Sequence, residues 1–358
     1  MSFLLTEAKT NFLSHKICEN KDDKKRLFET AKDILFWKDD PVLPMASEKE
    51  ALPNDFERFF VDKVVKIRNS ISDNVRISAL EETESMIGNQ TSNLSCFQPA
   101  TEDEIYKLVS KSSNASCELD PLSTPLIKLC KDELVPSITK IVNLSLIGSE
   151  VPKQLKSAIV RPLLKKASLD PEQFKNYRPV SNLSFVSKII ENVVATRITT
   201  YLNDNSLLNP FQSAYKRFHS TETALLRVHN DLITDIGNRK MAVLILLDLS
   251  AAFDTIHHDI LKQRLTTRYG IDGAVLKWIS SYLSDRSQRV SAGGILSEPV
   301  SMDIGVSQGS VLGQKFSSPS TLVPSMTSRK NMGYVPIFTL MNHNSIFRSR
   351  NPLTSRRR

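Results

Sequence analysis

Val243-Leu244-Ile245-Leu246-Leu247 is an unbroken apolar run that closes on a carboxylate, Asp248, followed shortly by an aromatic, Phe253, and a second carboxylate, Asp254. A short, continuous apolar run of this kind reads as a strand buried on both faces. An unpaired buried charge is costly, so an aspartate at the end of such a strand implies water, a cation or a partner beside it. Taken alone, Asp248 also reads as an ordinary turn or cap residue. The rest of the chain has to decide between the two.

The chain has 358 residues, 40% of them hydrophobic. That length corresponds to about two domains, and the composition supports a sizeable core. A formal net charge of +8 favours a polyanionic partner, although charge alone does not establish one. Cys18, Cys96, Cys117 and Cys130 form no C-x-x-C pair, which argues against a zinc finger or a disulfide scaffold and suits a reducing compartment. No stretch approaches the roughly 18 apolar residues of a membrane span. The expectation is a protein of the nucleus or cytoplasm, neither secreted nor membrane-bound.

Residues 1–98 read as a charged, helical linker region. Apolar positions Phe56, Phe59, Phe60, Val64 and Ile67 fall near helical spacing, and the following stretch to residue 98 is polar. Residues 99–240 form a second region. It opens at Thr101, a candidate helix cap with Glu104 at the reciprocal position. Ser157–Leu163 reads as a strand, and Val186–Leu202 and Thr221–Ile236 as amphipathic helices. Residues 241–314 add the strand ending at Asp248, helices over His258–Arg268 and Val275–Leu283, and a hairpin about Gly293-Gly294. From about Phe316 periodicity disappears, so residues 315–358 read as a basic tail without regular structure.

Four motifs carry chemistry. Phe174-Lys175-Asn176-Tyr177-Arg178-Pro179-Val180-Ser181-Asn182-Leu183 follows the strand Ile159-Val160-Arg161-Pro162-Leu163-Leu164-Lys165-Lys166. Phe211-Gln212-Ser213-Ala214-Tyr215 leads to His219-Ser220-Thr221-Glu222-Thr223-Ala224. The Asp248 segment comes next, and then Ile304-Gly305-Val306-Ser307-Gln308-Gly309-Ser310-Val311-Leu312-Gly313. In this order and spacing they resemble the reverse transcriptases of non-LTR (LINE-type) retrotransposons over roughly residues 100–313.

The resemblance implies an α+β fold, an incomplete right-hand polymerase with fingers and a partial palm, a helical N-terminal region and no thumb. It implies RNA-templated DNA synthesis with Mg2+, an RNA template, a DNA primer and deoxynucleoside triphosphates, in a ribonucleoprotein particle. It makes Asp248 the catalytic metal ligand, since magnesium prefers carboxylate oxygens. Phe253 would stand beside the sugar of the incoming nucleotide, though it also reads as a core aromatic. Arg178 would clamp the triphosphate, its planar guanidinium suiting phosphate oxygens; its rival role is a structural ion pair. Lys165 or Lys166 would assist, unless they are simply solvated. Gln308 would sit against base and sugar, with Gly309 permitting close backbone approach. Asp254 reads as a turn residue, and His257 and His258 as a helix start.

The pattern then departs from the family. Ser307 and Gln314 stand where proline is usual, and the Tyr-Ala-Asp-Asp palm motif is absent: Asp303 is the last acidic residue of the chain. Two magnesium ions cannot be held by one carboxylate, and a palm strand without that hairpin has an exposed edge. The expectation is a chain without polymerase activity, its alternatives being a non-catalytic RNA- or DNA-binding remnant or a pseudogene product. A back-translation of Phe338–Asn344, read from the third base, spells Tyr-Ala-Asp-Glu-Pro-Gln. Third-base choice is free, but a Gly from Met332-Gly333 and the Glu from Met341-Asn342 are forced. This points to a shifted reading frame near Phe316.

Overall fold

The computed structural model describes residues 10, 14–15, 17–19, 43–45, 50–69, 92–208, 212–214, 216, 218–239, 243–248, 253–316, 334–335 and 344–349. The chain divides into two compact units, Met1–Pro44 and Met45–Arg358. In the first, residues 10, 14–15 and 17–19 are helical, with His15 Nδ1 3.5 Å from the Glu19 carboxylate one turn on. Much of the charged segment of residues 1–40, and the polar stretch 70–91, lie outside the described residues.

The second unit is α+β, built on a mixed sheet. Its first helix, α1 (Leu52–Asn69), buries Phe56 and Phe60. Helices α2 (Glu102–Lys111), α3 (Thr124–Leu129) and α4 (Lys131–Gly148) follow, then strands β1 (Ser157–Leu164) and β2 (Tyr177–Leu183). Next come α5 (Phe185–Asp204), α6 (Thr221–Gly237), β3 (Val243–Asp248), α7 (His258–Tyr269) and α8 (Gly273–Leu283). Strands β4 (Ser287–Ala292), β5 (Ile295–Leu296) and β6 (Val300–Ser301) lead to α9 (Val311–Phe316), and β7 (Tyr334–Val335) and β8 (Asn344–Ser349) complete the described elements.

Thr101 caps α2 as its sequence suggests, its hydroxyl accepting from the Glu104 amide at 3.2 Å. The Glu104 carboxylate is instead held by both terminal nitrogens of Arg197, at 2.9 and 2.6 Å. A bidentate guanidinium is a stronger partner than one backbone amide, and it ties α2 to α5. The reciprocal cap is found at α6, between Ser220 and Thr223.

β1 lies between β2, antiparallel, and β4, parallel. Ala158, Ile159 and Val160 are all buried, as expected of a strand covered on both faces. Pro162 falls beyond Val160, where β4 stops pairing; a residue without an N–H is tolerated where the ladder has one partner fewer. The hairpin about Gly293-Gly294 forms through β4 and β5, while β6 pairs farther along β4. One sheet thus joins strands from residues 99–240 and 241–314.

The core packs α2, α4, α5, α7 and α8 together. The expected amphipathic helix Val186–Leu202 is buried almost all round, through Ile189, Ile190, Val193, Val194 and Ile198. Trp278 stacks on Tyr282 with ring centroids 5.6 Å apart and donates to Ser145 Oγ at 3.0 Å. β3 pairs antiparallel along its whole length with β8, placing Asp248 opposite Asn344, and β7 pairs with β8. Strands therefore occur within the segment that reads as an unstructured tail, and one edge of β3 is paired. No helix among the described residues is long and apolar enough to cross a membrane. The four cysteines are free thiols, with Cys117 buried.

Candidate functional site

Two glycine-bearing turns bring distant segments together. In the first, the Gly305 amide donates to the Ile256 carbonyl and the Val306 amide to the Phe253 carbonyl, both at 2.8 Å. Gly305 has φ +80°, and a Cβ there would lie 2.8 Å from the carbonyl oxygens of Phe253 and Asp254. The turn after β3 is thus seated directly on the loop before α9. His258 Nε2 lies 2.7 Å from the Gly305 carbonyl, which makes it a clamp on this loop. Burial holds its pKa below the ordinary histidine value, opposed by that hydrogen bond.

In the second turn, the Ser181 amide on β2 donates to the Gln308 carbonyl at 2.7 Å. Gly309 has φ +128°, and a Cβ there would meet the Ser181 carbonyl oxygen at 2.4 Å. Only glycine permits that approach in that backbone conformation. β2, the Phe253–Ile256 turn and the Gly305–Gly309 loop therefore meet at one place.

They line a cleft of about 280 Å³, at the small end of ligand pockets. Pro179, Ser181, Asp254 and Gln308 contribute to it. Its other wall is α1, through Phe60, Lys63, Val64 and Arg68. The sequence assigns that helix to a linker, yet its Phe56 ring lies 4.6 Å from Phe174 and 5.0 Å from Tyr177. Periodicity marks an apolar face without naming what it packs against.

Of the site residues drawn from sequence, Gln308 lines the cleft and Gly309 closes on Ser181. Phe253 is half-buried against the core while its carbonyl anchors the loop. Asp248 ends β3 five residues earlier; its side chain lies outside the described residues. Arg178 is exposed on β2, beside Pro179. Lys165 donates to the Lys175 carbonyl at 2.7 Å, and burial, with the nearby charge of Lys63, lowers its pKa. Neither Arg178 nor Lys165 lines this cleft. Phe211 and Tyr215 of the second motif lie outside the described residues.

One support for the loop went unread in the sequence. Glu191, on α5, is fully buried, and its carboxylate accepts from the amides of Val311 at 2.7 Å and Leu312 at 3.2 Å. It supplies the acceptor for the first turn of α9, immediately after Gln308-Gly309. Tyr282 donates to its other oxygen at 3.4 Å, and the Arg286 guanidinium lies 4.7 Å from the Tyr282 ring centre. Burial raises the Glu191 pKa, against the lowering effects of Arg286 and the donors; burial raises that of Tyr282 as well. The signal was available: Glu191 interrupts apolar positions on the core side of its helix, where a carboxylate needs donors.

Residues 164–318 match the family described as reverse transcriptase (RNA-dependent DNA polymerase). The chain is 30% identical over 215 residues to the RNA-directed DNA polymerase from mobile element jockey of Drosophila melanogaster, covering 60% of this chain and 23% of that protein. It is 27% identical over 223 residues to the probable RNA-directed DNA polymerase from transposon BS of the same species, covering 61% and 24%. Against the retrovirus-related Pol polyprotein from type-1 retrotransposable element R2 of Popillia japonica it is 28% identical over 172 residues, covering 48% and 23%. The chain spans about a quarter of the length of these curated relatives. Through this stretch the chain is reverse-transcriptase-like and related to the enzymes of non-LTR retrotransposons.

Proposed function

We propose that the chain is a LINE-type reverse-transcriptase domain with fingers and a partial palm, which binds RNA template and DNA primer but does not add nucleotides. The observation that carries the reading is the meeting of β2, the Phe253 turn and the Gln308-Gly309 loop in one cleft, within the stretch matched by reverse transcriptases. In this reading Gln308 and Gly309 face the base and sugar of a deoxynucleoside triphosphate. Phe253 stands near the sugar, and Arg178 and Lys165 serve phosphates that extend beyond the cleft along the sheet.

Nucleotidyl transfer of this class uses two divalent ions held by several carboxylates. Asp248, the last residue of β3, is the palm carboxylate of this reading. No acidic residue follows Asp303, and no three potential metal-ligating side chains converge among the described residues. In this reading Asp248 is the single carboxylate assigned to a metal, and no step is assigned through Mg2+. The family match stops at residue 318, close to the loss of periodicity, which supports a changed reading frame near Phe316. The action left to the cleft is binding of phosphate backbones, favoured by the net charge of +8, in a nuclear or cytoplasmic ribonucleoprotein.

Fluorescence anisotropy with a labelled RNA–DNA primer–template tests this. The expected result is binding that weakens steeply as salt rises, because phosphate contacts release counterions. Absence of binding at low salt overturns the reading.

A further inference from the structure

Resting on that reading, we infer that helix α1 forms the phosphate-binding wall of the cleft, through Lys63 and Arg68. This helix lies outside residues 164–318, the stretch matched to reverse transcriptases.

The N-terminal half of α1 is fixed on both sides. Phe56 and Phe59 pack on Phe174. Glu57 is 4% exposed and accepts from Gln288 Nε2 at 3.1 Å and Ser297 Oγ at 3.4 Å. Asn54 accepts from the Glu298 amide at 3.1 Å. The helix is therefore built into the sheet and its hairpin, which presents its second half, from Phe60 to Arg68, to the cleft.

That half divides cleanly by chemistry. Phe60, Val61, Val64 and Val65 give an apolar surface suited to sugars and bases, and Lys63 and Arg68 add two cations. The acids that reach the cleft, Asp254 and Asp303, come from the opposing loops. Phosphate is thereby directed to the α1 side. The Lys165 pKa is lowered first by burial and then by the charge of Lys63, and an anion beside Lys63 relieves that second contribution. Lys63 and Arg68 both reach the cleft but are about 7.5 Å apart along the helix axis and about 140° apart around it, too far for one small anion to bridge. A linear polyanion meets both cations, whereas a compact anion meets one. The ligand assigned is accordingly the backbone of a nucleic-acid strand.

The test uses the full chain, with Lys63→Gln, Arg68→Gln, the double variant, and Lys66→Gln as a control. Lys66 has the same charge on the same helix but is exposed and off the cleft. Anisotropy of a labelled RNA–DNA primer–template is measured across salt. The double variant is expected to weaken binding about tenfold or more and to lower the slope of log K against log salt by about 2, with Lys66→Gln unchanged. Charge-preserving Lys63→Arg and Arg68→Lys variants should restore the slope, which separates lost phosphate contacts from a loosened helix. If the wild type binds and the double variant matches it in affinity and slope, the inference fails while the binding function stands. It fails equally if Lys66→Gln has the same effect as the double variant. A wild type that binds nothing overturns both. A deoxynucleoside triphosphate whose affinity alone falls in the double variant would assign α1 to free nucleotide and overturn the strand assignment.

Discussion

The Ser181 amide donates to the Gln308 carbonyl at 2.7 Å, and the Ser181 carbonyl sits where a side chain on Gly309 would begin. One serine on a sheet strand thus fixes both residues of the Gln-Gly turn through its backbone. The turn is held by main chain, so its geometry depends on φ at Gly309 more than on any side chain.

Gly309→Ala should therefore break the turn. The backbone conformation is one that residues with a Cβ rarely adopt, and the clash is with backbone that cannot rotate away. A loss of about 1–3 kcal/mol is expected in urea unfolding, together with weakened primer–template binding. Gly148→Ala, where a Cβ meets nothing within 4 Å, serves as the control and should leave stability equal or higher.

Glu191 is expected to act as an acceptor more than as a charge. Glu191→Ala leaves the Val311 and Leu312 amides without their carboxylate and should cost about 1–3 kcal/mol. Glu191→Gln keeps an acceptor oxygen and removes a buried charge, so it should cost less. Equal losses in denaturant melts of the two variants would show that the charge, through Arg286, matters more than the hydrogen bonds.

His258 gives stability a pH dependence. Its folded pKa is below the ordinary value of 6.5, with burial the main cause, opposed by the Gly305 carbonyl; His257 and Lys262 lower it further and Asp259 raises it. Between the folded and unfolded values the unfolded chain binds more protons, so stability rises with pH there. The contribution is complete above about pH 6.5 and is lost as pH falls through the folded value. Urea unfolding at pH 7.5 and 5.5 should show a larger acid loss for the wild type than for His258→Gln. The opposite ordering would mean that the imidazolium is stabilised in the fold.

What could be read from sequence was what local pattern encodes. Apolar runs gave β1 and β3, although Leu244 is exposed, so β3 is not buried on both faces as its sequence suggests; helical spacing gave α7 and α8, and Thr101 marked the start of α2. A close approach at Gly309 was legible from the glycine itself, but its partner in the fold, the Ser181 backbone, was not. What could not be read was set by distant partners. Glu104 answers to Arg197 on α5 rather than to its own cap. β4 pairs parallel with β1, so Ser287 meets Ser157 across most of the domain. The apolar face of α1 looked like a linker helix because Phe174 and Tyr177, which receive it, lie far along the chain.

The function proposed for this reverse-transcriptase-related chain is nucleic-acid binding without nucleotide addition. Primer extension by the purified full chain, on an RNA template with Mg2+ and all four deoxynucleoside triphosphates, tests it most directly. No extended product is expected at protein concentrations that bind the primer–template. Extension by the wild type that Asp248→Ala abolishes would contradict it.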